Sequence, residues 1–482
     1  MAFTDSHQII VDRRPLWIVL VDRLRREIFL LLFFAVFAGL LNLEPPADLS
    51  PEGYKVLCVF FLCVGLWSTN LIPLSITSLL AMALIPLLGI MESSKVYAFF
   101  GNKAVFFILG VFILSAAMIS CGLSARLSVW VMERWGRNPV MLMTSIYIFG
   151  AISSCFMSEH AVAAMMYPLV LEIVGALGLK QGKSVFGKGL FFALGWGCII
   201  GGATTVLGGG RVPLAVEIME KSTGGEATLG VLQYTGLGFP LVVLMFLSGW
   251  WVLTRWFAPE EIDIGPALQV LREKSRAMGK VSFQEKGIGA VLVVTIFFWF
   301  GYGHQLGIAN IALVSIVLLF MLNLINWKMV EEHVNWAIIL MYGGAICLGE
   351  VMASSGAALW LARKLFEDFI HSGPMFLLCL AVLSTVFTTF MSNSAVIAVL
   401  LPPAISLCAE YGVSVPMSAL AIILPSNFAF MLPIATPASA LAYSSRFITL
   451  GEMVKSGLIL NLAGLLSFLV LLFIYWPLVG FR

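Results

Sequence analysis

Two short polar breaks, each set inside a long apolar run, constrain this chain more than any other feature. One is Phe390-Met391-Ser392-Asn393-Ser394-Ala395-Val396, continued by an apolar run to Pro402. The other is Phe156-Met157-Ser158-Glu159-His160-Ala161-Val162, continued by an apolar run to Pro168. One offset of 234 residues relates Phe156 to Phe390 and Pro168 to Pro402. The same offset places Gly110–Leu127 over Gly344–Leu361, with Met118 over Met352 and Gly122 over Gly356. An internal duplication follows. Polar groups at membrane depth are costly and mark function. A pair of them in two halves points to the midplane site of a secondary transporter.

Whether these runs lie in lipid is decided by composition. The chain is 60% hydrophobic and 11% charged over 482 residues, against about 25% charged and about 45–50% apolar in soluble domains. The surplus apolar surface needs lipid, so the chain reads as an all-α polytopic membrane protein. The net charge of +2 forms no basic face and implies no nucleic-acid partner. The eight cysteines fall in or beside apolar runs and make no CxxC pair, so they read as small buried hydrophobes. Met1 to Glu27 is polar and basic, unlike a cleavable signal peptide.

The arm 1–27 carries Arg13, Arg14, Arg23, Arg25 and Arg26, which the positive-inside rule puts in the cytoplasm. Its Arg14-Pro15 to Asp22 stretch is amphipathic and suits the membrane surface. A span needs about 20 apolar residues. Ile28–Leu43, Tyr54–Ser68, Leu71–Ile90 and Val105–Met132 are read as the spans of the first half, the first two of them short, and Tyr234–Phe257 closes it. Between them lie a hairpin over 138–177, with Ser158-Glu159-His160 at its bend, and a helix over 189–220 broken at Gly201-Gly202 and Gly208-Gly209-Gly210-Arg211. Glycine runs inside such a helix mean unwinding, tolerated only where backbone is buried or lines a cavity.

Residues 258–286 form a polar cytoplasmic linker with a short amphipathic helix at Pro266–Ala277. The second repeat, 287–482, has spans at Gly287–Gly303, Ile308–Ile325, Trp336–Phe366 and Leu458–Leu478. Its hairpin covers 373–410 and its broken helix 414–447, interrupted around Pro433-Ile434-Ala435-Thr436-Pro437-Ala438. The first repeat covers 28–257 on the same reading. About 11 transmembrane helices and two re-entrant hairpins result, with an odd number of crossings per half, which inverts the second repeat. His304, His333 and His371 stand alone near span ends and are expected to face the interface.

The second-half polar set is Thr388, Ser392, Asn393, Ser394, Ala435 and Thr436. Thr388 and Ser392 share a helix face. With the Asn393 amide and carbonyls freed at Ala435, they can cage a monovalent cation without a formal charge. The competing reading has the hydroxyls back-bonding to their own helices. The first half differs: Ser154 and Ser158 match Thr388 and Ser392, but Glu159 replaces Asn393 and His160 replaces Ser394. Arg211 follows the glycines. An unpaired buried charge would be neutralised or expelled. Three readings stay open: a Glu159–Arg211 ion pair whose guanidinium takes the cation's place, a titrating Glu159 or His160 that couples transport to protons, and an Arg211 that snorkels to the interface.

Ser392-Asn393-Ser394 resembles the Ser-Asn-Thr hairpin signature of the divalent anion/sodium symporters, which carry dicarboxylates, citrate or sulfate with sodium. Phe428-Ala429-Phe430-Met431-Leu432-Pro433-Ile434-Ala435-Thr436-Pro437 and Met453–Leu462 also resemble that family, as do Trp67–Ile90 and Asn335–Gly356. The resemblance runs from about Glu52 to Gly464. It implies an elevator-type transport domain made of both hairpins and both broken helices, carried by a dimerising scaffold. It implies a sodium site at Thr388, Ser392, Asn393 and Ala435, and anion contacts at Asn393, Ser394, Thr436, Ser158 and His160. The other sodium site would use Ser154, Ser158 and Gly208, but Glu159 and Gly209-Gly210-Arg211-Val212 depart from the pattern there. The expected activity is therefore cation-coupled symport of a small divalent anion, dicarboxylate- or sulfate-like, with sodium as coupling ion and no cofactor. The remaining alternatives are a proton-coupled exchanger or arsenite-type efflux carrier of the same superfamily and a transport-deficient sensor. No paired-carboxylate, metal or nucleophile constellation suggests an enzyme. The expected setting is a plasma or inner membrane, as a homodimer with a cytoplasmic N-terminus.

Overall fold

The computed structural model describes residues 16–69, 71–257, 262–366 and 370–481. Arg13, Arg14, the 258–261 end of the linker and the side chain of His304 lie outside what is described. The described residues form helices joined by turns, with no strand among them. Nine of the helices are long and apolar enough to cross a membrane. The helices of the first half begin with α1 (Leu16–Leu41), α2 (Pro51–Thr69), α3 (Leu74–Leu87), α4 (Ser93–Ala98), α5 (Lys103–Ser120) and α6 (Leu123–Trp135). The hairpin α7 (Pro139–Ser154) and α8 (Glu159–Ala176) follows, then the broken helix α9 (Val185–Gly202) and α10 (Arg211–Ser222), then α11 (Val231–Trp256).

The linker helix is α12 (Gly265–Ala277), its apolar face held by buried Ala267 and Leu271. The order then recurs: α13 (Phe283–Leu306), α14 (Ile308–Met321), α15 (Trp327–His333), α16 (Trp336–Ser354) and α17 (Ala357–Phe366). The second hairpin is α18 (Gly373–Phe390) and α19 (Asn393–Leu407). The second broken helix is α20 (Val415–Ile423) and α21 (Pro437–Ser444), and α22 (Leu450–Val470) follows, continued by a π turn over Leu471–Tyr475 and the short α23 (Trp476–Leu478).

Several sequence expectations change at their boundaries. Val105–Met132 and Trp336–Phe366 are not single spans. Each is cut by a glycine in the left-handed region, Gly122 at φ 83° and Gly356 at φ 74°, a conformation that ends a helix at little cost only for glycine. The 234-residue offset thus relates two left-handed glycine breaks as well as two similar stretches of sequence. The surface-lying N-terminal stretch and the first span are one continuous helix from Leu16. The second broken helix loses α-helical form earlier than Pro433, at a 3₁₀ turn over Pro425–Asn427. His333 and His371 are exposed, as expected of residues at span ends.

Packing between the halves comes in exchanged couples. Helix α3 packs on α16 while α14 packs on α5, and α10 packs on α19 while α21 packs on α8. Within the first half, α7 lies unusually close to α9. A Cβ on Gly197 would stand 2.5 Å from the Tyr147 carbonyl oxygen, and one on Gly201 would overlap the backbone of Ala151. Small residues one turn apart allow this approach, the usual device for joining helices in lipid. It fixes the hairpin to the broken helix and so fixes the positions of the polar side chains at their ends.

Candidate functional site

Both polar breaks open onto one cavity of about 310 Å³. Six helix N-termini supply its walls: Pro73–Ser75 of α3, Ser158–His160 of α8, Gly210–Arg211 of α10, Asn335–Ile338 of α16, Ser392–Ser394 of α19 and Ala435–Pro437 of α21. Four of these N-termini are capped by side chains of the wall itself. Ser158 Oγ accepts from Ala161 N–H at 3.3 Å, and Ser392 Oγ accepts from Ala395 N–H at 3.3 Å. Thr436 Oγ1 accepts from Ser439 N–H at 3.2 Å, and Asn335 Oδ1 from Ile338 N–H at 3.4 Å. The back-bonding reading of Ser158 and Ser392 therefore holds for their hydroxyls as caps, while their positions remain in the wall.

At the second-half tip, Thr388 Oγ1 lies 2.8 Å from Asn393 Oδ1 and 2.7 Å from the Ser426 carbonyl oxygen. Both groups are acceptors and Thr388 has one hydroxyl hydrogen, so one of the two close approaches has no proton in it. The whole trio is buried. Asn427 turns its amide nitrogen to the Ile199 carbonyl at 2.6 Å and leaves its Oδ1 buried without a partner. Oxygen-rich surroundings with no ionisable side chain suit a hard monovalent cation. Ser426 and Asn427 were not singled out by sequence, because the earlier unwinding of the broken helix could not be read from the prolines alone. Ala435 lies in the cavity wall beside Thr436.

The first-half tip is built from charges. Arg211 is 3% exposed and Glu159 1% exposed. Arg211 Nη1 stands 3.5 Å from Glu159 Oε2, and Nη2 donates to the Gly202 carbonyl at 2.6 Å. The Glu159 N–H donates to the Gly208 carbonyl at 3.1 Å, tying hairpin tip to glycine run. The side chain of Arg211 points inward, which removes the snorkelling reading. Ser154 is fully buried at the end of α7, and its backbone oxygen lies beside Gly208. His160 Nδ1 is 3.7 Å from Glu159 Oε1 and has no hydrogen-bond partner. His160 also lines a second cavity of about 180 Å³ that reaches His333. Of the residues expected at the altered first cation site, Glu159 meets the Arg211 guanidinium, Gly208 meets the Glu159 N–H, and Ser158 shares their cavity wall.

The glycines here answer to space and not to backbone freedom. Gly202, Gly208, Gly209 and Gly210 are absent from the positions with positive φ. A Cβ on Gly202 would sit 2.7 Å from Glu159 Oε2, and one on Gly209 would sit 2.8 Å from Arg211 Nη1. A Cβ on Gly210 would run into the Tyr342 ring. Tyr342 is fully buried and its hydroxyl is 3.1 Å from Ser394 Oγ, joining α16 to the second hairpin. Sequence reasoning passed over Tyr342 and Asn335 as site residues. Asn335 carried a usable signal, an N-cap residue immediately before an apolar run. Tyr342 carried none beyond its neighbours Gly343 and Gly344.

A comparison with protein families matches residues 25–481 to the sodium:sulfate symporter transmembrane region. Among curated proteins, the sodium-dependent dicarboxylate transporter SdcS of Staphylococcus saprophyticus is 27% identical over 92% of this chain and 90% of its own. SdcS of Staphylococcus aureus is 25% identical over 99% of this chain and 98% of its own. Among solved structures, the YdaH transporter of Alcanivorax borkumensis superposes with a TM-score of 0.53 at 14% identity, covering 95% of this chain and 98% of that one. The last likeness concerns the fold alone. These relatives are named as transporters and not as enzymes, and the apolar helices make this chain an integral membrane protein.

Proposed function

Because the chain belongs to the family of the sodium:sulfate symporter transmembrane region, we propose that it couples sodium to the symport of a small divalent anion, with a four-carbon dicarboxylate as first candidate and sulfate as second. The observation that carries this reading is the convergence of six helix N-termini on one cavity. Each N-terminus presents unpaired N–H groups and a partial positive charge. Together they favour an anion without an unneutralised basic side chain. The dicarboxylate is favoured by the names of the similar staphylococcal proteins.

In this mechanism sodium enters first, at Thr388 Oγ1, Asn393 Oδ1, the Ser426 carbonyl and the freed backbone at Ala435. Its charge replaces the missing proton in that oxygen cluster and stiffens the α18–α19 tip. Asn393, Ser394 and Thr436 then meet the anion from one side, and Ser158 and His160 from the other. An empty or fully loaded site crosses lipid at lower cost than one holding an unbalanced charge. The mobile body is α7–α10 with α18–α21. Its two halves are interlocked by the α10–α19 and α21–α8 contacts, which supports a rigid elevator. The remaining helices form the scaffold, the two repeats are inverted, and the protein sits as a homodimer in the plasma membrane with its N-terminus and linker in the cytoplasm.

Uptake of labelled succinate and labelled sulfate into proteoliposomes, with and without an inward sodium gradient, tests the reading. Uptake of at least one anion is expected to depend on sodium. Uptake driven equally by a proton gradient in sodium-free buffer would overturn the coupling, and no uptake of either anion would overturn the substrate class. Asn393→Ala and Thr388→Val are each expected to weaken apparent sodium affinity by about tenfold, the equivalent of about 1.4 kcal/mol for one lost ligand. Sodium titration of uptake reads this directly.

A further inference from the structure

The two tips occupy equivalent places in the duplicated sequence, yet only one of them lacks a built-in positive charge. We infer that Arg211 is a tethered cation that permanently fills the first-half counterpart of the sodium site, so that the two tips together take up one soluble sodium ion and not two. This rests on the sodium-coupled reading above and specifies its coupling.

Three independent features support it. Arg211 Nη2 donates to the carbonyl of Gly202, the last residue of α9, while Nη1 faces Glu159 on the hairpin tip. The guanidinium thus bridges hairpin and broken helix, as the Thr388, Asn393 and Ser426 oxygens meet across the same junction in the other half. Second, Glu159 stands at the position of Asn393 in the repeat. A neutral amide suits a cation that comes and goes. A carboxylate suits one that stays, because the pair then adds no net charge in any state of the cycle. Third, the surrounding backbone is shaped for the pair. A Cβ at Gly202 or Gly209 would lie 2.7 Å from Glu159 Oε2 or 2.8 Å from Arg211 Nη1, so a side chain there would have to displace one member of the pair. Neither glycine has a positive φ that would otherwise explain it. The guanidinium thus takes up the Gly202 carbonyl and faces the Glu159 carboxylate, oxygens that a second ion would otherwise use.

The test is the order of the sodium dependence, read in two ways. Sodium activation of uptake in proteoliposomes, and sodium-induced thermal stabilisation of the purified protein, are each measured for the unaltered chain, Arg211→Lys, Arg211→Ala and Glu159→Gln/Arg211→Gln. The unaltered chain and Arg211→Lys are expected to give one-site curves with Hill coefficients near 1. Arg211→Ala leaves the Glu159 carboxylate to recruit a second ion, so its Hill coefficient is expected to rise towards 2. The double glutamine variant, which removes both charges together, is expected to remain folded and to bind sodium with a coefficient above 1. A coefficient near 2 for sodium binding by the unaltered chain would overturn the proposal, as would an unchanged coefficient near 1 in every folded variant without the guanidinium. Absence of sodium-driven uptake would instead remove the symport reading, and the stabilisation curves would still decide the number of ions bound.

Discussion

Glu159→Ala is expected to lower stability by about 3–5 kcal/mol, the range for removing one partner of a buried ion pair. The size of the loss follows from what stays behind. Arg211 is 3% exposed, and without Glu159 its guanidinium keeps only the Gly202 carbonyl at 2.6 Å as a partner. A charge so placed can meet water only through the cavity whose wall Arg211 forms. Removing both partners is a different perturbation, because a neutral pair of small side chains leaves space but no orphaned charge. The double variant Glu159→Ala/Arg211→Ala is therefore expected to be more stable than Glu159→Ala alone. Thermal or denaturant unfolding of purified protein measures both. A Glu159→Ala variant within about 1 kcal/mol of the unaltered protein, the usual size of an unremarkable substitution, would show that the pair does not hold this tip together.

Gly201→Val is expected to separate the first hairpin from the first broken helix, with a loss of about 3 kcal/mol, the upper end of the range for overpacking. The obstacle is backbone. A Cβ at Gly201 meets the carbonyl oxygen of Ala151, and one at Gly197, a turn earlier, meets that of Tyr147 at 2.5 Å. Neither carbonyl can turn aside without breaking α7. The helices must part, and with them the Ser154–Ser158 segment and the Gly202 carbonyl that receives Arg211. Loss of anion uptake is expected to accompany the loss of stability. Gly175→Ala in α8 is the control, since a Cβ there meets nothing within 4 Å. That substitution is expected to stabilise the helix by about 0.5–1 kcal/mol. If Gly201→Val melts with the unaltered protein, the close approach of α7 and α9 contributes nothing to the site.

Much of the architecture was legible in the chain. The apolar runs gave the helices, and the polar bends gave both helix–helix turns within a residue or two. The N-caps Ser158 and Ser392 mark those bends in sequence and in structure alike. Less legible were interruptions that depend on a single backbone conformation. Gly122 and Gly356 sit in apolar runs long enough for one span, and only their left-handed φ shows that each run is two helices. The site was half legible for a related reason. Residues from the bends and the Gly201-Gly202 break were named from sequence, whereas Tyr342 and Ser426 come beside Ser394 and Thr388 only through packing.

The sequence by itself determined that this is an all-helical membrane protein, that two polar bends stand at one offset inside apolar runs, and that those bends are unequal. These are properties of local hydropathy and of residue identity at one offset, so no contact is needed to read them. Only the tertiary structure showed where the Arg211 side chain goes. Three fates for Arg211 were compatible with its position after the glycines: pairing, proton coupling nearby, or escape to the interface. The direction of a long side chain depends on what surrounds it. Here α9 ends in a carbonyl aimed at the guanidinium, Glu159 lies across from it, and glycines leave room for both. A buried charge goes where its hydrogen bonds are, and that place is set by helices that meet only in the folded protein.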